Sequence, residues 1–154
     1  MLRGSQLISK TKLREILIKK RKAIPQERRE EASTLLKELL YPKGNILSFS
    51  PFGSEIDPTL LNESLKSENR LYLIPYEIEC ISSVPISKID CILVPALGFD
   101  KENYRLGYGK GFYDRFLATF KGLPTIGVGF KEQLFEELLP RDPWDMPVDE
   151  LLLL

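Results

Sequence analysis

The stretch "IDCILVPALGFDKENYRLGYGKGFYDRF", Ile89 to Phe116, passes from an unbroken apolar run through three alternating glycines into a segment of helical spacing. "IDCILVP" carries no polar alternation, as expected of a strand covered on both faces, which is the habit of parallel sheets. Phe112 to Phe120 spaces its apolar residues for a helix. Gly107, Gly109 and Gly111 therefore fall on a strand-to-helix connection. In open parallel sheets ligands bind there, beyond the carboxyl ends of the strands.

Four more strands fit around this one: "NILSFS", "RLYLIP", "PTIGVGF" and a final "DELLLL" read as buried. Helices are expected from Ser9 to Ala23, from Pro25 onward, from Asp57-Pro58 to about Ser67, and from Glu132 to Leu138. Leu13, Ile16, Leu17, Leu35, Leu36 and Leu39 should form the buried faces of the first two. Tyr76 to Lys88 is ambiguous and could form a small hairpin. The reading is an α/β fold, an open and mostly parallel sheet flanked by helices, in one domain spanning residues 1–154.

Composition narrows the chemistry. The chain has 154 residues, no histidine and two cysteines. Without histidine, Ser-His-Asp and Cys-His nucleophilic sites and most zinc sites are excluded. What remains is carboxylates, Lys, Arg, Tyr, backbone amides or a hard metal ion. Cys80 and Cys91 lack CxxC spacing, and no secretory signal pattern stands out, so a reducing, cytoplasmic setting is expected. No run approaches the roughly 18 apolar residues of a membrane span, so no membrane partner is expected. Net charge is zero, but residues 1–30 hold ten Lys/Arg against three Asp/Glu. That basic segment is either a solvated helix face or an anion site. Lys10, Arg14 and Arg21, four and seven apart, share one helix side. Aromatic residues are not interleaved with them as single-stranded nucleic acid would require, so no nucleic-acid partner is expected.

The glycines have two readings. They give either a tight packing turn or a phosphate cradle, in which backbone N–H groups converge beside a helix N-terminus and the charges of Lys110 and Arg105. The spacing matches neither GxxxxGK[ST] nor GxGxxG. Asp114, one turn into the helix, could hold Mg²⁺ against such a phosphate, partner the helix dipole, or pair with Arg115 or Lys110. Asp145, in "WDMPVDE", sits in a loop just before a strand and reads by itself as a turn residue.

"DCILVPALGFDKENYRLGYGKGFYDRFL" resembles the signature of the 5-formyltetrahydrofolate cyclo-ligase family, typically VPGLAFD, a spacer, then RLGxGKGYYDR. "KTKLR", "SEIDPTLL" and "GFKEQL…DMPVDELL" match further family segments in order. The resemblance implies a three-layer α/β/α fold, Rossmann-like and akin to the NagB/RpiA/CoA-transferase group. It also implies ATP- and Mg²⁺-dependent conversion of 5-formyltetrahydrofolate to 5,10-methenyltetrahydrofolate. Carried over by motif, Lys10, Arg14 and the run Arg105, Leu106, Gly107, Tyr108, Gly109, Lys110, Gly111, Phe112 and Tyr113 would bind ATP. Arg105 and Lys110 would be catalytic, and Asp114 and Asp145 would hold magnesium. Glu55 would hold the folate, with Ser50 and Gly109 to Phe112 nearby. Phe112 stands where the family commonly has a tyrosine, keeping the ring but not its hydroxyl. A Gly-Ile-x-Glu-Pro-like segment of relatives is missing between "LIPYEIE" and "SKIDCIL". A monomer is expected. The alternatives are another phosphoryl-transfer enzyme on the same fold and a non-catalytic nucleotide- or RNA-binding homologue.

Overall fold

A computed structural model of the chain describes residues 8–75, 83–109 and 112–154. In chain order the elements are α1 (Lys10–Lys22), α2 (Gln26–Leu40), β1 (Ile46–Ser48), α3 (Thr59–Ser67), β2 (Leu71–Leu73), β3 (Cys91–Pro95), β4 (Gly98–Phe99), β5 (Arg105–Leu106), α4 (Phe112–Thr119), β6 (Thr125–Gly129) and β7 (Glu150–Leu153). The main sheet has the order β2-β1-β3-β6-β7 and every pairing in it is parallel. The five expected strands and the open parallel sheet are thus present.

Alternation along the strands splits the core in two. Ile46, Leu93, Ile126 and Val128 join Ala32, Leu36 and Leu40 of α2 and Leu61 and Leu65 of α3 on one face. Leu47, Ile92 and Val94 join Phe116 and Leu117 of α4 on the other. Helices on both faces leave the central strands dry, which is why β3 and β6 are buried throughout. From β1 the chain moves outward through α3 to β2, and from β3 it moves the opposite way through α4 to β6. The order therefore reverses between β1 and β3, and the loops leaving their carboxyl ends flank a crevice.

A small antiparallel hairpin, β4 with β5, stands at that end and was not anticipated from the sequence. Its turn is organised by the fully buried Asp100, whose Oδ1 accepts from the amides of Glu102 at 2.9 Å and Tyr104 at 3.2 Å. Helix α1 packs on this hairpin, not on the main sheet: Leu13 and Leu17 cluster with Leu97, Leu106 and Leu139.

Several expectations are corrected. Glu132 to Leu138 is not a helix; only a single 3-10 turn, Lys131–Gln133, forms there. The backbone that a helix would use is diverted to the hairpin, with Phe135 N–H donating to Phe99 O at 2.7 Å and Leu139 N–H to Asp100 Oδ2 at 2.9 Å. The last strand is an edge strand and only half-buried. Ile16, Leu35 and Leu39 are 37–49% exposed, because a single layer beneath each helix buries only Leu13, Leu17 and Leu36 of the expected set. Pro25 is the N-cap of α2, one position before the helix, not its first residue. The hairpin considered for Tyr76 to Lys88 falls largely outside the described residues; its end, Ile86–Lys88, is a 3-10 turn. No helix among the described residues is long and apolar enough to cross a membrane.

Candidate active site

The site is built where α1 lies across the crevice. Ser9 caps the helix, its Oγ accepting from Lys12 N–H at 3.2 Å, and the buried Leu13–Leu17 stripe fixes the helix rotation. Lys10, Arg14 and Arg21 then reach three neighbouring points along the crevice.

Arg14 lies against the glycine loop. Its Nε donates to Gly107 O at 2.8 Å, and a Cβ added at Gly109 would sit 3.2 Å from the guanidinium carbon. Gly109 has φ +102°, a conformation L side chains rarely adopt, so this position needs glycine for both space and backbone. Lys110 and Gly111 lie outside the described residues.

Lys10 reaches the loop before β7. Its Nζ is 2.6 Å from Asp142 Oδ2 and 2.9 Å from Asp145 Oδ2. Burial works to lower the ammonium's pKa, but hydrogen bonds and charge from Asp142 and Asp145 overcome it and hold Lys10 above its ordinary value. The loop is closed on itself, with Asp142 N–H donating to Asp145 Oδ2 at 2.8 Å and Asp145 N–H to Asp142 O at 3.0 Å. Asp114 meets the same loop, its Oδ1 accepting from Met146 N–H at 3.2 Å, and stands 3.6 Å from Arg105 Nη2. Arg105 is nearly enclosed, lying 5.0 Å over the Tyr113 ring. Burial lowers its pKa, while Asp114, Tyr113 and Asp145 oppose that shift.

Asp114 and Asp145 thus share one corner of the crevice. Among the described residues no three acidic, histidine or cysteine side chains gather as a metal cage. Two carboxylates suit magnesium, which retains waters and takes its other ligands from phosphate oxygens. The donor set fits that ion.

At the β1 end of the crevice, Glu55 is buried and its Oε1 accepts from Phe52 N–H at 2.7 Å. Burial raises its pKa above the ordinary carboxylate value, opposed by the Phe52 amide and the Arg21 charge. Arg21, 2% exposed, donates to Ser54 Oγ at 2.8 Å, to Ala96 O at 3.0 Å and to the Tyr108 hydroxyl. Ser50 lies just past β1 and is exposed. Leu106 is buried in the α1–hairpin cluster, as a support beneath the loop. Phe112 is half-buried within the second core cluster, 5.9 Å from Phe116 between ring centres.

The structure therefore joins Lys10 to Asp145, Arg14 to Gly107 and Gly109, and Arg105 to Asp114 and Tyr113. Among the described residues no carboxylate lies within ion-pair distance of Arg14 or Arg21, although the Arg21 charge still acts on Glu55. Asp142, Phe52 and Asp100 were missed in the sequence. Arg21 could be read there only as a third member of the basic helix face.

Relatives share this architecture. The 5-formyltetrahydrofolate cyclo-ligase family matches residues 78–153, just under half of the chain. The 5-formyltetrahydrofolate cyclo-ligase of Mycoplasma pneumoniae is 45% identical over 67 residues, which are 43% of this chain and 40% of that protein. Over that alignment the chain spans about two fifths of the relative's length. Solved structures reach further. A 5,10-methenyltetrahydrofolate synthetase from Mycoplasma pneumoniae superposes with a TM-score of 0.75 at 27% identity, covering 94% of this chain and 98% of that one. The synthetase of Aquifex aeolicus superposes at 0.74 with 31% identity, covering 94% and 89%. With the glycine loop, the basic helix and the acidic loop meeting at one crevice, and an Aquifex relative 31% identical across nearly its whole length, the chain belongs to the 5-formyltetrahydrofolate cyclo-ligase family.

Proposed function

We propose that the chain, acting as a single domain, converts 5-formyltetrahydrofolate to 5,10-methenyltetrahydrofolate at the expense of ATP, releasing ADP and phosphate. One observation carries most weight beside the family membership: Arg14, without a carboxylate partner among the described residues, lies against the backbone of Gly107 and Gly109. That is an arrangement suited to phosphate oxygens.

In this reading the formyl oxygen attacks the γ-phosphorus as the bond to ADP breaks. The resulting phosphorylated imidate at nitrogen-5 is attacked by nitrogen-10, which loses its proton as the ring closes, and phosphate leaves. The chain's task is positioning and neutralisation of developing charge. Arg14 and the glycine-loop amides would hold the phosphates, the charges of Lys110 and Arg105 would offset that developing on the transferring group, and Glu55 would accept from N–H donors on the pterin edge. Asp114 and Asp145 would hold Mg²⁺, whose charge, when bound, offsets that of the phosphates. No step asks for histidine, which the chain lacks. A reducing cytoplasm suits the buried free thiol of Cys91, whose pKa burial pushes up to about 11.

The test is incubation of purified protein with ATP, Mg²⁺ and 5-formyltetrahydrofolate while the methenyl product's absorbance is followed. Product that appears only with ATP supports the proposal. No ATP-dependent product, with a positive control active in the same buffer, overturns it.

A further inference from the structure

One short turn holds the acidic loop at both of its ends. Between β4 and β5 the chain folds back from Asp100 to Tyr104, with Asn103 N–H donating to Asp100 O at 3.0 Å. Where the acidic loop begins, Leu139 N–H donates to Asp100 Oδ2, and Arg141 Nη2 lies 3.3 Å from the same oxygen. Arg141 also stands 2.8 Å from Glu102 Oε1, and its guanidinium lies 3.7 Å over the Tyr104 ring. Where the loop ends, Asn103 O accepts from Val148 N–H at 2.9 Å, and the Asn103 side-chain amide donates to Asp149 O at 3.1 Å. Residues 140–147, with Asp142 and Asp145 among them, are strung between these attachments.

The span is stiff. Pro140, Pro143 and Pro147 each fix φ, and Pro143 lies inside the turn closed by Asp145 N–H on Asp142 O at 3.0 Å. A displacement at Arg141 is therefore carried along to Asp145 rather than absorbed locally. Lys10 and Asp114 grip the middle of the loop, the first through Asp142 and Asp145 and the second through Met146 N–H. In the proposed reaction both grips loosen, because magnesium would draw on Asp114 and Asp145 while Lys10 turns to the phosphates. The clamp on the turn uses no group assigned to substrate or metal, so it persists when they loosen. An exposed ion pair alone is worth little. Arg141 differs, because its partner Asp100 is fully buried and the Tyr104 ring fixes the guanidinium plane.

We infer that Arg141 is a positioning residue: docked on Asp100, Glu102 and Tyr104, it sets the acidic loop so that Asp145 stays beside Asp114, within reach of one magnesium ion, when Lys10 lets go. Arg141 touches neither substrate nor metal and acts through the loop it anchors. The inference rests on the magnesium- and ATP-dependent reaction proposed above.

The experiment compares wild type, Arg141→Met and Arg141→Lys. Trp144, inside the loop, reports binding: its emission is titrated with Mg²⁺ in the presence of a non-hydrolysable ATP analogue. The Mg²⁺ concentration for half-maximal turnover, the folate KM and the ligand-free melting temperature are measured beside it. Arg141→Met keeps the stem but loses every contact of the guanidinium, and should raise the half-saturating Mg²⁺ about tenfold, the scale of losing an outer partner of a metal ligand. Arg141→Lys restores one ion pair without the fork or the stacking, and should fall between Arg141→Met and wild type. Excess Mg²⁺ should return most of kcat, and the folate KM should stay within about twofold, since the clamp lies outside the folate site. Ligand-free melting should change little, because Lys10 still holds the loop and the Arg141 side chain is 29% exposed. Lower melting temperature with unchanged Mg²⁺ dependence would make Arg141 merely structural and overturns the inference. A change confined to the folate KM does the same. If Trp144 emission is silent, the Mg²⁺ dependence of turnover decides; if Arg141→Met does not fold, Arg141→Lys decides on the same readouts. Active wild type with unaffected variants removes this inference and spares the proposed function. Arg141-dependent Mg²⁺ binding without folate turnover spares the inference and removes that function, and wild type that neither binds Mg²⁺ with the analogue nor converts the folate overturns both.

Discussion

Lys10 holds its ammonium 2.9 Å from Asp145 Oδ2, so it and a metal ion held by that carboxylate would compete for the same charge. Binding of Mg²⁺ with ATP should draw Asp145 to the metal and release Lys10 toward the phosphates. Trp144, the only tryptophan in the chain, precedes Asp145 and is 65% exposed. Its fluorescence should therefore change on adding Mg²⁺ and ATP together, and the change should be lost in Asp145→Asn. An emission spectrum indifferent to both would detach this loop from the nucleotide.

Arg14→Ala should weaken ATP binding on the order of 10- to 100-fold, the scale of a lost charge-assisted hydrogen bond. Gly109→Ala should be impaired by a different route. Its φ of +102° penalises any side chain by about 1–3 kcal/mol, and the new Cβ would press on the Arg14 guanidinium at 3.2 Å. Calorimetric titration with ATP beside thermal melts separates the two: binding falls in both, stability chiefly in Gly109→Ala. Unchanged binding in both would leave the loop a packing turn.

Lys110→Ala should lower kcat by roughly 100- to 1,000-fold, by comparison with removal of a single oxyanion donor. Substrate KM values should move far less, since the charge matters most as the phosphoryl group transfers. Steady-state kinetics with each substrate varied in turn check this, and normal turnover would remove Lys110 from the chemistry.

Glu55 has a stability signature of its own. Its folded pKa lies above the ordinary 4.5, chiefly through burial. The folded chain thus holds that proton more tightly than the unfolded chain. The contribution is present in full below pH 4.5 and is lost as pH rises through the folded value, so the ionised carboxylate is a net cost at neutral pH. Glu55→Gln should therefore melt higher than wild type at neutral pH, with the gap closing below pH 4.5, while its folate KM rises. Melting curves across that range check the sign. A variant less stable than wild type at neutral pH would show that the ionised form is compensated in the fold.

What the sequence made legible follows from periodicity and from a long motif. The buried strands announced themselves by unbroken apolar runs, and Lys10 and Arg14 by helical spacing beside a glycine loop. The β4–β5 hairpin was hidden because each strand has two residues and its organiser, Asp100, looks like any loop aspartate until its carboxylate is seen accepting from three amides. The same hairpin turned the expected Glu132 to Leu138 helix into a strap by capturing its amides. Ile16, Leu35 and Leu39 matched the helical stripe as well as their buried neighbours did, since spacing cannot say how wide the covering layer will be. Asp142 and Phe52 carry no local signal: one is defined by Lys10 across 132 positions, the other by Tyr108 in a different loop.

The most direct test follows the formyl oxygen. 5-Formyltetrahydrofolate carrying ¹⁸O in its formyl group is turned over with unlabelled ATP, and the inorganic phosphate released is examined by mass spectrometry. If the formyl oxygen attacks the γ-phosphorus, one labelled oxygen should appear in each phosphate, in step with methenyl product and ADP. Unlabelled phosphate alongside methenyl product, or ATP hydrolysis without that product, would contradict the account.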